Sequence, residues 1–260
     1  MKNLEPKTIE ILAIDVGNTS ILIAHISDGH VKKTVRVATA KIRSFSLLTL
    51  KKHFPLKKIQ AAVIASVVPS AGTFLKAMIP RKLKLRTFLI GKDLAVPIKN
   101  LYTNPKQVGI DRLMNALAAF SKHRRAAIII DFGTAITFDV VSKKGEYLGG
   151  VIAPGIEISL DALFQKTALL PRIRLAHPQS VIGKNTIESI RAGCSYGIGG
   201  LCERVVSEIK RQRHLEPVVM ATGGYAHFMS RYFHGAYQID PNLTLKGIFL
   251  TYKKLLDKNS

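Results

Sequence analysis

Tryptophan is absent from this 260-residue chain, and cysteine occurs only as Cys194 and Cys202. Their spacing suits neither a metal site nor a disulfide framework, and they read as two buried thiols in a reducing compartment. Long hydrophobic runs are missing as well. A bilayer-spanning helix needs roughly 18 apolar residues, and the longest candidates here are broken by Asp131 or by Pro69. Met1-Lys2-Asn3-Leu4-Glu5-Pro6 contains no signal-peptide core, so residues 1–8 read as a short extension without function. A cytoplasmic location without membrane association is expected. The chain also lacks Gly-x-x-x-x-Gly-Lys followed by Ser or Thr, which excludes a P-loop.

Carboxylates are few. Asp and Glu number 17 against 39 Lys and Arg, a net charge of +22. The basic residues are spread along the chain, and Lys82, Lys84 and Arg86 alternate with Leu83 and Leu85, the pattern of one wet and one buried face. A nucleic-acid reader usually interleaves aromatics with its basic groups or shows a reading helix. Neither is evident, so the charge reads as a solvated surface that draws in anionic substrates, and no nucleic-acid partner is expected. Apolar residues at 47% supply material for a core, and a doubled motif favours two similar halves.

That doubled motif is a strand–turn–strand unit. Ile9 to Ile14 and Ala126 to Ile130 are apolar β-branched runs, followed by Asp15-Val16-Gly17-Asn18-Thr19 and Asp131-Phe132-Gly133-Thr134-Ala135. Each turn leads into a second apolar segment, Ser20 to Ile26 or Ile136 to Val141. A carboxylate at a strand end, followed by glycine and small hydroxyl residues, can hold a cation while offering backbone N–H groups to an anion. A single Asp-x-Gly also marks any tight hairpin; its recurrence at the same place in each half favours a nucleotide gripped by two turns. A third glycine turn, Ala221-Thr222-Gly223-Gly224, follows a late strand, where glycine lets backbone approach a base or ribose.

Between the doubled units the pattern predicts a helix near Ser44 to Phe54, a doubly buried strand from Ala61 to Val68 and a helix from about Ser70 to Ile79. A strand follows at Leu85 to Ile90, then a loop from Val96 to Val108. Later elements are a strand near Tyr147 to Ile152, a helix over Ile156 to Phe164, and a long helix capped by Thr186 and ending near Arg213. Pro217 to Thr222 is a strand, and Leu243 to Leu255 a final helix. The order βββαβα, run twice, is that of a duplicated α/β nucleotide-binding fold.

Gly109-Ile110-Asp111-Arg112 sets a carboxylate beside a guanidinium where the loop enters a helix. Two readings stay open. Asp111 can be a general base with Arg112 clamping an oxyanion, or a carboxylate that satisfies the helix dipole beside a surface arginine. Asp131-Phe132-Gly133 does not mark a protein kinase, because the Gly-rich loop and the His-Arg-Asp segment are missing.

These segments together resemble the type III pantothenate kinases, in the acetate and sugar kinase, Hsp70 and actin superfamily. The likeness runs from about Ile9 to Gly247. It comprises the Asp15 turn, Ala65-Ser66-Val67-Val68-Pro69, and Tyr-x-x-Pro-x-x-x-Gly-x-Asp-Arg-x-x-Asn from Tyr102 to Asn115. Asp131 to Thr137, Gly149-Gly150 through Pro154-Gly155 to Thr167-Ala168-Leu169-Leu170-Pro171, and Ile182-Gly183-x-x-Thr186 with Gly193 complete it. The resemblance implies duplicated ribonuclease H-like (actin-like ATPase) domains, each a mixed sheet flanked by helices. The halves would be residues 1–118 and 119–260, the last helix able to pack back on the first half.

It also implies transfer of the ATP γ-phosphate to pantothenate, the first step toward coenzyme A. By position, Asp15, Val16, Gly17, Asn18, Thr19, Ser20, Ile21 and Leu22 would cradle the ATP phosphates, Asp15 organising magnesium, and Thr134 would touch ATP. Asp111 would be the catalytic base. Tyr102, Gly109, Ile110, Asp111 and Arg112 would contact pantothenate, Arg112 on its carboxylate. Asp131 would bind a monovalent cation, potassium or ammonium. Thr186 would reach pantothenate from a second copy, implying a homodimer with composite sites. The chain departs from the family where Lys or Arg often follows Thr19; here Ser20-Ile21-Leu22-Ile23 stand. A kinase of another small hydroxy acid or sugar is the same-fold alternative, and a non-catalytic transcriptional accessory or nucleic-acid-binding protein the alternative of another class.

Overall fold

The computed structural model describes residues 8–214, 216–234 and 237–259. The N-terminal extension lies, but for Thr8, outside them. The chain forms two compact units: one runs to Ala118 and takes in the C-terminal stretch from Asn242, the other is Ala119–Pro241.

In the first unit β1 (Glu10–Val16), β2 (Ser20–Ser27) and β3 (His30–Ala38) form an antiparallel meander. The β2–β3 turn has φ 46° at Asp28 and 82° at Gly29, the left-handed pair that a two-residue hairpin loop demands. After a 3₁₀ turn at Thr39–Lys41, the helix expected from Ser44 to Phe54 is instead one 3₁₀ turn, Leu47–Thr49, and the single turn α1 (Leu50–His53). Side-chain hydroxyls explain the difference: Ser44 Oγ donates to Lys41 O at 3.0 Å and Thr49 Oγ1 to Ser46 O at 2.6 Å, competing with helical backbone bonds.

β4 (Ala61–Ser66) joins β1 in parallel and β5 (Arg86–Leu89) joins β4, so the sheet order is β3-β2-β1-β4-β5. Between them, α2 (Pro69–Leu83) starts with proline at its first position, where the missing N–H costs nothing. Its buried Ala71, Leu75, Ile79 and Leu83 recur every four residues and pack on Leu12, Ile14 and Ile64. Burying Leu75 alone contributes about 1.5–3 kcal/mol. The two-residue strand β6 (Lys99–Asn100) and α3 (Ile110–His123) follow.

The second unit repeats the plan. β7 (Ala127–Phe132), β8 (Ala135–Val141) and β9 (Glu146–Pro154) form an antiparallel meander. Two helices come next, α4 (Ile156–Lys166) and α5 (Thr186–Arg213). The residue that caps α5 is Asn185, whose Oδ1 accepts the Glu188 N–H at 2.9 Å; Thr186 is the first helical residue. β10 (Val218–Thr222) then pairs with β7 in parallel, α6 (Ala226–Met229) follows, and β11 (Tyr237–Ile239) pairs with β10. Within the unit these five strands run β9-β8-β7-β10-β11, the first sheet's order again. β11 has no counterpart in the sequence reading, because three residues are too few to show a period.

α7 (Leu243–Asn259) returns to the first unit and packs on β1 and β4. Gly247 lets it approach α3 closely, since a side chain there would run into the Met114 backbone. Thr244 Oγ1 donates to the buried Asn115 Oδ1 at 2.8 Å, fixing the start of α7 against α3.

Candidate active site

β1 ends at Asp15-Val16, and Gly17-Asn18-Thr19 turn the chain into β2. The Gly17 N–H donates to Ser20 O at 3.0 Å and closes the turn. Thr39 braces it from outside, its Oγ1 donating to Gly17 O at 2.7 Å and its N–H to Thr19 O at 3.0 Å. Asn18 and Thr19 are exposed, and Asp15, Gly17, Ser20 and Leu22 half-buried. Val16 and Ile21 pair with each other and are fully buried, so their side chains anchor the hairpin in the core. Of the eight residues expected to cradle phosphates, these two can contribute backbone alone.

The Asp111 segment closes a loop that Asn100 organises. Asn100 Oδ1 accepts the Tyr102 N–H at 3.0 Å, and its Nδ2 donates to Pro105 O at 3.2 Å. Asn104 caps the short 3₁₀ turn Pro105–Gln107 through the Lys106 N–H at 3.2 Å. A cleft of about 570 Å³ opens here. Val96, Ile98, Val108, Ile110 and Leu113 make much of its wall, with Asn100 and Gln107 among its polar groups. Gly109 and Ile110 line it; Tyr102, Asp111 and Arg112 stand beside it rather than in its wall.

Asp111 lies in the first turn of α3, where its Oδ1 accepts the Arg112 N–H at 2.8 Å. The carboxylate is thus a helix-terminal acceptor, as the plain structural reading had it. Its environment nevertheless differs from that of an ordinary surface carboxylate. Burial raises its pKa above the usual carboxylate range, and outweighs the lowering by that N–H and by the Arg112 guanidinium. Gly109 lies close beside it: a Cβ there would run into Asp111 Oδ1 unless that carboxylate moved. Arg112 is itself buried.

In the second unit Asp131 pairs with Thr137 on β8 and with Thr222 on β10, so its half-buried carboxylate sits between two turns. A Cβ on Gly133 would lie 3.3 Å from Asp131 Oδ1, and one on Gly223 would run into that same oxygen and the Phe132 carbonyl. Gly223 belongs to the third glycine turn, which therefore closes over Asp131. Tyr225 N–H donates to Phe132 O at 3.3 Å and pins it there. The exposed Thr134 is held by Gly155, whose missing side chain leaves room for the Thr134 carbonyl. Thr186 is exposed at the start of α5, on a different element from the Asp131 turn.

The donor sets fit the ions expected at each turn. Among the described residues no cluster of three or more His, Cys, Asp or Glu could hold a metal on its own. A lone carboxylate such as Asp15 suits magnesium, which is bound largely through substrate phosphates and water. One carboxylate enclosed by turn backbone, as at Asp131, suits a weakly held monovalent cation. Gly223, Asn100 and Thr39 support these sites without belonging to the expected residue set. Only Gly223 had a signal in the sequence, its place in a third strand-end glycine turn.

Comparison with known proteins agrees with this geometry. The family model for type III pantothenate kinase matches residues 11–208. A protein named type III pantothenate kinase from Anaeromyxobacter dehalogenans (strain 2CP-C) is 39% identical over 251 residues, covering 94% of this chain and 99% of that protein. Among solved structures, a putative Baf family transcriptional activator from Campylobacter jejuni matches 95% of this chain and 100% of its own, with TM-score 0.62 and 19% identity. A putative 2-dehydro-3-deoxygalactonokinase from Sinorhizobium meliloti matches 94% and 99%, with TM-score 0.59 and 11% identity. At such identities the two structures speak for the fold alone, an α/β fold of duplicated ribonuclease H-like units.

Proposed function

The chain belongs to the type III pantothenate kinase family and so is an ATP-dependent kinase that phosphorylates pantothenate for coenzyme A biosynthesis; we propose that Asp111 is the base in that transfer. The observation that carries the assignment is a carboxylate whose pKa is raised by burial, at the rim of a cleft with an apolar wall. A carboxylate whose pKa is raised has a greater affinity for the proton of the attacking hydroxyl. Arg112 supplies a fork for the pantothenate carboxylate. Tyr102, Gly109 and Ile110 shape the substrate's seat, and the apolar wall of Val96, Ile98 and Val108 suits its branched hydrocarbon part.

For ATP, the proposal gives the phosphates to the Asp15–Leu22 hairpin and a further contact to Thr134. Asp15 would hold magnesium and Asp131 the monovalent cation, potassium or ammonium; when bound, these ions neutralise phosphate charge. In-line transfer also needs the hydroxyl held still, which the Asn100-braced loop supports.

A homodimer with Thr186 completing the site of a second copy is part of the same reading. It is supported by exposed apolar groups of the second unit, among them Ile152, Ile158, Ile187 and Tyr196, and by open space above Gly193, Gly197 and Gly200 on α5. Among the described residues no helix is long and apolar enough to cross a membrane, and two buried free thiols accord with a cytoplasmic setting.

The decisive assay mixes purified chain, ATP, magnesium and pantothenate, with and without potassium. Formation of 4′-phosphopantothenate that disappears in Asp111→Asn, while ATP still binds, is the expected outcome. Retention of most wild-type kcat by that variant would remove Asp111 from the base's role.

A further inference from the structure

The first phosphate turn has a cation that its own residues do not supply. Ser20-Ile21-Leu22-Ile23, directly after the turn, contain neither Lys nor Arg. The neighbouring strand brings one: Arg36 on β3 donates from Nη1 to Ser20 Oγ at 2.7 Å. The register explains its arrival. Arg36 pairs with Leu22, and Leu22 pairs with Asp15, so the three form one row across three adjacent strands. Opposed residues in such a row point to the same face of the sheet. Arg36 and Asp15 therefore share a face, with half-buried Leu22 between them.

The opposite face is already committed to the core, where Ile21, Ile23, Val35 and Val37 pack with α2. Arg36 is exposed and takes no part in that packing. Two strand spacings put the Arg36 and Asp15 backbones about 10 Å apart, a gap that a long arginine and a triphosphate with its cation can fill from the two sides. Three residues on, Thr39 ties the end of β3 to Gly17 O and Thr19 O. The strand carrying Arg36 is thus fastened to the turn it would serve. Its charge is not quenched nearby in sequence, since no Asp or Glu occurs between Asp28 and Asp93. Of the guanidinium's five N–H donors one is used on Ser20, which leaves a fork for a phosphate.

We propose that Arg36 is a nucleotide-binding residue, contacting the phosphate tail of ATP over the Asp15 turn. Ser20 is its positioning residue, orienting the guanidinium through the hydroxyl. The inference rests on the assignment of that turn to ATP, and its test must separate the two. Equilibrium binding of ATP and steady-state kinetics are measured for wild type, Arg36→Gln, Arg36→Lys and Asp15→Asn, with thermal melts to confirm folding.

Losing one charged hydrogen-bonding partner should weaken ATP binding and raise its KM by roughly tenfold in Arg36→Gln. KM for pantothenate should stay fixed, Arg36→Lys should recover part of the loss, and added salt should weaken ATP binding less in Arg36→Gln than in wild type. If a folded Arg36→Gln binds ATP as wild type does while Asp15→Asn does not, the role of Arg36 is overturned and the turn's assignment stands. If both variants bind ATP unchanged, both fall.

Discussion

The Asp131 carboxylate occupies the space that a side chain on Gly223 would need, and Gly223 holds φ at 89°. Backbone conformation and the proposed cation site thus meet at one glycine. Gly223→Ala should cost about 1–3 kcal/mol through left-handed strain and collision, and should push Asp131 off its position. The expected result is a lower melting temperature and a higher potassium concentration for half-maximal activity. A variant that melts lower but keeps the wild-type potassium response would mean that the third glycine turn is structural only.

Asp111, the proposed base, would link activity to stability. Burial raises its folded pKa, so the folded state binds the proton more tightly than the unfolded chain, whose value is near 3.9. Stability is therefore lost as pH rises from about 4 through the raised pKa, and the charged form remains costly above it. Asp111→Asn removes that cost: the variant should be inactive yet melt higher than wild type at pH 7–8. Its advantage should shrink as pH falls through the raised pKa, where the wild-type carboxyl takes up its proton. In the wild type, the acid limb of kcat/KM should lie above the ordinary carboxylate range. A melting advantage that stays level with pH would contradict the raised pKa.

The sequence already shows the two hairpins and the Asp111-Arg112 step, because each is local: a β-branched run, a glycine turn, a carboxylate at a fixed offset. The contacts that bring these segments together are not local. Asp131 is closed over by Gly223 through β10, and Arg36 reaches the Asp15 row only once the β2–β3 register is set. The same limit explains the missing helix at Ser44–Phe54, where apolar spacing looked helical but hydroxyl groups of Ser44 and Thr49 captured backbone carbonyls. The pattern offers Thr186 as a cap, whereas Asn185, one position earlier, makes the capping bond; neighbouring cap candidates are not separated by pattern alone.

Asn100 joins two backbone points of the loop that carries Tyr102, accepting from Tyr102 N and donating to Pro105 O. Asn100→Ala should loosen the loop with a stability loss of about 1 kcal/mol or less, since the group is partly solvated. KM for pantothenate should rise several-fold while KM for ATP stays level. A rise in both constants would point to general unfolding of the unit.

α5 offers the sharpest test of assembly. Gly193, Gly197 and Gly200 recur at helical spacing, are exposed, and leave open space where a side chain would stand. Glycine in a helix interior is unfavourable by up to about 1 kcal/mol, so a lone helix would gain from replacing it. The proposed dimer gives such a row a physical role, the close approach of a helix from the second copy. Gly197→Gln should therefore leave the single chain at least as stable by far-UV melting, while light scattering shows a shift from dimer to monomer. Pantothenate turnover should fall with it, because Thr186 would no longer reach the second copy's site. A fully dimeric, fully active Gly197→Gln would place the contact between copies elsewhere.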